Sequence, residues 1–224
     1  LAQSAKEWHT RCLTARQLTL LREFGIIFGS RFYLAGGTAI ALHLGHRLSI
    51  DLDWFCTEEL HSPELLAKQI QDTGLAVQIT SVSKGTLHAV ISGVRVSFLS
   101  YGYPLLQPAI SDEPLGCRVA SLQDLACMKL SALTQRGAKK DFIDIFALNR
   151  RALSISDMLD LYRKKYSMAS VAHILYALSY FDDADKEKTP KMMWRTDWRK
   201  IKSELQEEVK KIARRFDYEE EMPE

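Results

Sequence analysis

An apolar run, Arg31-Phe32-Tyr33-Leu34-Ala35, stops at Gly36-Gly37-Thr38, and after a small apolar stretch the chain returns as Ser49-Ile50-Asp51-Leu52-Asp53-Trp54-Phe55. The first run is short, apolar and aromatic, which reads as a buried strand. Ala39 to Leu44 suits a short helix stopped at Gly45, and Ser49 to Phe55 reads as a second strand. A strand, a glycine turn, a helix and a second strand within so short a segment call for a core in which helices pack on a sheet.

That order has chemical content. Glycines let a phosphate approach the backbone, and the helix N-terminus behind them offers unpaired amides. Thr38 adds a hydroxyl donor. Asp51 and Asp53 are two apart on a strand and so share a face. Two carboxylates held together repel unless a cation lies between them, and hard oxygen ligands suit Mg²⁺, or Mn²⁺ in its place. A phosphate cradle beside paired carboxylates equips a chain for metal-assisted phosphoryl or nucleotidyl transfer. Taken singly, the glycine pair is an ordinary turn and Asp-x-Asp an ordinary solvated strand face; their order and spacing carry the reading.

Around this segment, periodicity predicts helix over Ala5 to Phe28, with Trp8, Cys12, Leu18, Leu21 and Phe24 on one face. Ser62 to Thr73 reads as a second helix, Ser62 its N-cap and Pro63 its first residue. Leu75 to Val82, Thr86 to Ile91 and Val94 to Leu99 read as strands joined by the turn pairs Lys84-Gly85 and Ser92-Gly93, an antiparallel meander. Gly102 to Gly116 holds three of the six prolines and reads as a loop at a domain junction. Beyond it the pattern is helical: Ser121 to Gln135, Lys139 to Arg150, a helix from Ser154 or Ser156, and Ala169 to Tyr180. A last helix is lined by Ile201, Leu205, Val209, Ile212 and Phe216. Phe181 to Thr196 reads as irregular, with Met192-Met193-Trp194 and Trp198 as a core patch. The expected class is α+β: a small mixed sheet flanked by helices over residues 1–103, then a C-terminal helical bundle over 104–224.

Hydrophobic residues make up 46% and charged residues 26% of the 224, a globular composition. The 30 basic and 28 acidic residues leave a formal net charge of +2, without the basic excess of a dedicated nucleic-acid binder. No apolar stretch reaches the roughly eighteen residues of a membrane span, so no membrane association is expected. Cys12, Cys56, Cys117 and Cys127 are widely spaced, which argues against a zinc site or a disulfide framework. The N-terminus lacks a signal-peptide pattern, and the expected setting is cytoplasmic.

Three groups of residues carry a resemblance. The first is Gly36-Gly37-Thr38-Ala39, Gly45-His46-Arg47 and Ser49 to Phe55; the second runs from Lys129 through Arg136, Lys140, Asp141 and Asp144 to Phe146; the third is Tyr180 to Ala184 with Pro190-Lys191-Met192. In that order they resemble the AbiEii/AbiGii-type toxin family of the DNA polymerase β-like nucleotidyltransferase superfamily. The resemblance implies a polymerase β-like sheet with a helical C-terminal part. It implies a Mg²⁺-dependent enzyme moving a nucleoside monophosphate from an NTP to an RNA (tRNA) or protein acceptor, with a cognate antitoxin protein as partner. It also implies residue roles: Asp51 and Asp53 as catalytic metal ligands, and Gly36, Gly37, Thr38 and Arg47 as nucleotide-binding residues. Lys129 would meet the triphosphate, with Asp141 near the reacting groups as base or metal partner. The plain alternative for the second group is a salt-bridged pair of helices.

One position departs from the superfamily pattern. A third carboxylate is usual on a later sheet strand, but the strand from Gly93 to Leu99 offers Ser97 or Arg95 there. Asp51, Asp53, Lys129 and Asp141 favour an enzyme. Ser97 favours a catalytically impaired module that keeps the fold and binds nucleotide or a partner. A metabolic nucleotidyltransferase outside any toxin system is a third reading, and a small neighbouring antitoxin gene would discriminate. His43 and His46 lie at i and i+3 without the further His or Cys neighbours that zinc needs; His46-Arg47 reads as positioning phosphate or ordering the loop before Asp51.

Overall fold

Thr14 starts the first long helix through a reciprocal cap. Its hydroxyl accepts from Gln17 N at 3.2 Å, and Gln17 Oε1 accepts from Thr14 N at 2.9 Å, so orphan amides at the helix entrance are satisfied on both sides. Helix α1 therefore spans Ala15–Phe28, preceded by a 3₁₀ turn at Thr10–Cys12, where periodicity alone predicted one helix from Ala5. The computed structural model describes residues 7–112 and 114–220, with side chains over 7–111 and 114–214; Ala5 and Phe216 lie outside those limits.

The first compact unit, Leu1–Ser121, is built on a seven-stranded mixed sheet. Its elements after α1 are β1 (Tyr33–Ala35), α2 (Gly36–Leu44), β2 (Asp51–Cys56), α3 (Pro63–Gln71), β3 (Val77–Ser83), β4 (Thr86–Ile91), β5 (Val94–Ser100), β6 (Ile110–Asp112) and β7 (Cys117–Val119). The strand order is β3-β4-β5-β2-β1-β7-β6. β2 runs antiparallel to β1 and parallel to β5, while β3, β4 and β5 form the expected meander. Ser92 and Gly93 both take positive φ, 48° and 81°, which is what a tight hairpin turn of the primed type demands.

Two differences from the sequence reading have the same cause. Residues 102–116 are not simply a junction loop: β6 and β7 join the sheet, β7 parallel to β1 through Leu34 and Val119. The compact units accordingly divide between Ser121 and Leu122, later than the 103/104 boundary. Three-residue strands are too short to display an alternating pattern, so their pairing is decided by tertiary contacts.

One sheet face is filled by α1. Phe24 packs edge-on against Trp54 and Phe98, with ring centroids 5.6 and 5.5 Å away, and Phe28 and Phe32 extend the cluster. Along β2, Leu52, Trp54 and Cys56 are buried, whereas Asp51, Asp53 and Phe55 on the other face are only partly so. The alternation aims both carboxylates away from the aromatic core.

The second compact unit, Leu122–Glu224, is helical. It comprises α4 (Leu122–Arg136), α5 (Lys139–Arg151), α6 (Ile155–Tyr166), α7 (Ala172–Ser179), the short α8 (Asp182–Lys186) and α9 (Trp198–Glu220). Ser154 caps α6 reciprocally with Asp157, which settles the start left open between Ser154 and Ser156. Phe142 and Phe181 meet at 4.7 Å, and Trp198 closes on both at 5.9 Å. The patch expected around Met192-Met193-Trp194 does not join this core: Met193 is 42% exposed. A fully buried pair, Lys165 Nζ to Asp124 Oδ1 at 2.7 Å, ties α6 to α4.

Candidate functional site

The first turn of α2 is where the sequence places a phosphate cradle. The strand β1 ends at Ala35, and Gly36 turns into the helix with φ of 65°, a conformation that glycine adopts without steric cost. No side chain caps this N-terminus. The second constraint on Gly36 comes from β2. A Cβ placed there would lie 2.5 Å from Asp53 Oδ2, so the carboxylate rests against the helix entrance because the side chain is missing. Ala35 is the cross-strand partner of Asp53, which fixes that approach.

Thr38 and Arg47 have positioning work in this arrangement. Thr38 is 1% exposed; its hydroxyl donates to the Asp51 carbonyl and shares a 2.7 Å hydrogen bond with Ser49 Oγ. The threonine expected to greet a phosphate thus fastens α2 to the start of β2. Arg47 is buried, and its Nη1 donates to Leu48 O at 3.1 Å, ordering the loop that leads to Asp51. Gln17 Nε2 donates to Ser49 O at 3.1 Å from α1. His43 contacts Ala120 O through Nε2 at 2.9 Å and packs against Trp8, a structural position. Gly37 occupies the same partly exposed first turn as Gly36.

Sheet register defines what faces the two carboxylates. Asp51 is paired with Arg95 and Asp53 with Ser97 across the parallel β2–β5 ladder. Arg95 Nε donates to Asp51 Oδ1 at 2.6 Å, so a guanidinium already offsets part of the charge. Ser97, one of the two residues the sequence offers in place of a third carboxylate, is in register with Asp53, and its Oγ lies 3.0 Å from His88 Nδ1 on β4. The sequence reading singled out Arg95 and Ser97 but missed His88, whose place is visible only once the meander register is known. Among the described residues no three His, Cys, Asp or Glu side chains cluster as a metal cage. Two same-face carboxylates still match Mg²⁺, which takes one or two protein carboxylates and completes its shell with water and phosphate oxygens.

Lys129 and Asp141 belong to the second unit and form a buried ion cluster there. Lys129 Nζ lies 3.0 Å from Asp141 Oδ1 and 2.9 Å from Asp144 Oδ2, with side-chain exposures of 4%, 0% and 0%. Arg136 Nε and Nη2 donate to the two oxygens of Asp141 at 2.8 and 2.9 Å. Asp144 and Arg136 are thus members of one network bracing α4 to α5, the salt-bridged helix pair that the sequence offered as the plain alternative. Burial pushes the Asp141 carboxyl up, but Lys129 and Arg136 outweigh it and hold it below the usual carboxylate range. The pair therefore adds stability above the unfolded pKa of about 3.9, and that increment vanishes as pH falls toward the lower folded value. Thermal melts between pH 7 and pH 3 should lose stability on this acid limb, and a flat profile through pH 4 would contradict the ion cluster. Burial also raises the Cys12 thiol to about 11 and the Cys127 thiol to about 12, which makes both poor nucleophiles.

Gly36→Ala tests the cradle. A positive φ costs an L-residue roughly 1–2 kcal/mol, and the new methyl must displace the Asp53 carboxylate. The expected result is a folded protein, modestly destabilised, with NTP affinity lowered at least about tenfold by calorimetric titration. Unchanged NTP affinity would show that the turn is only structural.

A family model described as nucleotidyl transferase AbiEii toxin, type IV toxin–antitoxin system, matches residues 20–104 and 68–218. An uncharacterized protein of Aquifex aeolicus, aq_aa25, is 38% identical over 157 residues, 70% of this chain and 76% of that protein. Among solved structures, JHP933 from Helicobacter pylori superposes with a TM-score of 0.58 at 16% identity, covering 92% of this chain and 93% of that one. MenT4, a nucleotidyltransferase toxin from Mycobacterium tuberculosis, gives 0.59 at 14% identity, covering 87% and 80%. These structural likenesses show a shared nucleotidyltransferase fold. No described helix is long and apolar enough to cross a membrane.

Proposed function

Since the chain belongs to the AbiEii nucleotidyl transferase toxin family, we propose that it moves a nucleoside monophosphate from an NTP to a hydroxyl of an RNA or protein acceptor, and that a cognate antitoxin protein restrains it. One observation carries the reading: the Asp53 carboxylate is seated against the glycine entrance of α2, with Asp51 on the same face. That geometry supports a triphosphate site beside a cation site. In this reading the first-turn amides of α2 take phosphate oxygens. Asp51 and Asp53 would hold Mg²⁺ or Mn²⁺, which when bound neutralises charge on the phosphate and on the attacking oxygen. Arg95 holds Asp51 in place through its ion pair, and Thr38 and Arg47 fix the backbone on which both aspartates stand. The buried cluster of Lys129 and Asp141 enters the proposal as a charged brace; a direct part for Lys129 in triphosphate binding is tested by substitution below.

The test is incubation with each labelled NTP, Mg²⁺ and total RNA or total protein, comparing wild type with Asp53→Ala. Label appearing in a macromolecule with wild type alone supports the reading. NTP binding without transfer by wild type would favour the second reading, a nucleotide-binding module that has lost turnover. The observation favouring that alternative is Ser97, an uncharged residue in register with Asp53 across the β2–β5 ladder.

A further inference from the structure

We propose that His88 is the proton acceptor for the attacking hydroxyl, in place of the sheet carboxylate that this chain lacks. The inference rests on the transfer reading given above. It starts from register. Asp53 is paired with Ser97 across β2–β5, and Ser97 with His88 across β5–β4. Directly opposed residues share a sheet face, so the three side chains stand in a row on the open face. Neighbouring strands are about 4.8 Å apart, which puts the imidazole two strands, or about 10 Å of backbone, from Asp53 and leaning toward it through Ser97. His88 and Ser97 are both partly exposed, within reach of an incoming acceptor.

The contact with Ser97 gives the imidazole its orientation. Ser97 Oγ lies 3.0 Å from His88 Nδ1; in the tautomer that donates Nδ1–H to that oxygen, the lone pair is on Nε2, the nitrogen farther from the serine. A serine hydroxyl cannot take a proton at neutral pH, but a neutral imidazole can. Of the strands β2 to β5, the charged side chains on this face are Asp51, Asp53 and Arg95; the β3 residue opposite His88 is Ser81, which is uncharged.

The acceptor oxygen forms a bond to the α-phosphorus of the NTP. The bond from that phosphorus to the bridging oxygen breaks, and its electron pair leaves with pyrophosphate. The hydroxyl proton passes to His88 Nε2, and the imidazolium returns it to water after product release.

The experiment compares wild type, His88→Ala, His88→Gln and His88→Ala/Ser97→Asp in the transfer assay with labelled NTP, Mg²⁺ and total RNA or total protein, with NTP affinity measured separately by titration. Loss of the imidazole should lower the transfer rate by about 100-fold or more, with NTP affinity and melting temperature within twofold and a few degrees of wild type. Added imidazole should restore part of the rate to His88→Ala but not to His88→Gln, whose side chain fills the space. Ser97→Asp should restore rate in the His88→Ala background by supplying a carboxylate facing Asp53. Wild-type transfer that persists in His88→Ala overturns this inference alone, as does a lost rate that neither imidazole nor Ser97→Asp recovers. Absence of transfer by wild type overturns the transfer reading and this inference with it.

Discussion

Lys129→Met should lower the stability of the second unit by about 3–5 kcal/mol, the cost of removing one partner from a buried ion pair. A methionine fills nearly the same volume and packs readily, so the loss is electrostatic. Asp141 and Asp144 are both fully buried and both lie within 3.0 Å of Lys129 Nζ. Without the ammonium, Arg136 still serves Asp141, while Asp144 loses this ion pair. Sequence alone places Lys129 at the rim of an apolar stripe, where a methionine would be nearly neutral; the structure reverses that expectation. Chemical denaturation at pH 7 measures the loss. NTP titration of the folded variant separates the two roles: unchanged affinity assigns Lys129 to bracing, and weakened affinity adds the triphosphate. A variant as stable as wild type would contradict the buried network. The triple variant Lys129→Met/Asp141→Asn/Asp144→Asn should regain part of the stability, because the amides need no counter-charge.

Asp53→Asn should abolish transfer almost entirely. The asparagine keeps the shape that rests against Gly36, so the fold of β2 and α2 is retained. On the proposed transfer reading, what is lost is one of two negative oxygen ligands, and the charge stabilisation lost with the cation amounts to several kcal/mol, or about a 1000-fold fall in rate or more. Stability should hold or rise slightly, since removal of one carboxylate relieves its repulsion with Asp51. A rate within tenfold of wild type, in Mg²⁺ or Mn²⁺, would remove Asp53 from the reaction. Arg95→Ala gives a useful contrast: it frees Asp51 of its guanidinium partner and should steepen the dependence on added cation without eliminating transfer.

How far the sequence carried this reading depends on the range of the interactions involved. The glycine turn, α2 and the strand with Asp51 and Asp53 were legible because they depend on local periodicity and on glycine chemistry. The meander was legible because Ser92-Gly93 and Lys84-Gly85 punctuate it. The strands β6 and β7 were not, because each has three residues and they join the sheet only through the long-range pairing of β7 with β1. Thr38 was read as a phosphate donor from its residue type, and Arg47 as positioning phosphate or ordering the loop before Asp51; only the fold shows the hydroxyl donating to Asp51 O and the guanidinium to Leu48 O. His88 left no signal in its own neighbourhood. Its interest arises from two successive registers, β4 on β5 and β5 on β2, that no single segment encodes.

The alternation along β2 also sets which genetic changes this chain can absorb. Every second residue from Leu52 to Cys56 is committed to the core, and every second from Asp51 to Phe55 to the open face. The Thr38 hydroxyl on Asp51 O and the pairings of Ala35 with Asp53 and Tyr33 with Phe55 pin that phase along the strand. Loss of a single codon inside Asp51–Trp54 would leave part of the strand out of phase, presenting indole to water and forcing a carboxylate into the aromatic cluster. Most point substitutions there would cost a few kcal/mol at worst, but a one-codon deletion would remove the site and the core together. Family members that drift in sequence are therefore expected to take their insertions and deletions in the turns around Lys84-Gly85 and the proline-rich stretch 102–109, and to keep the length from Gly36 to Phe55 unchanged.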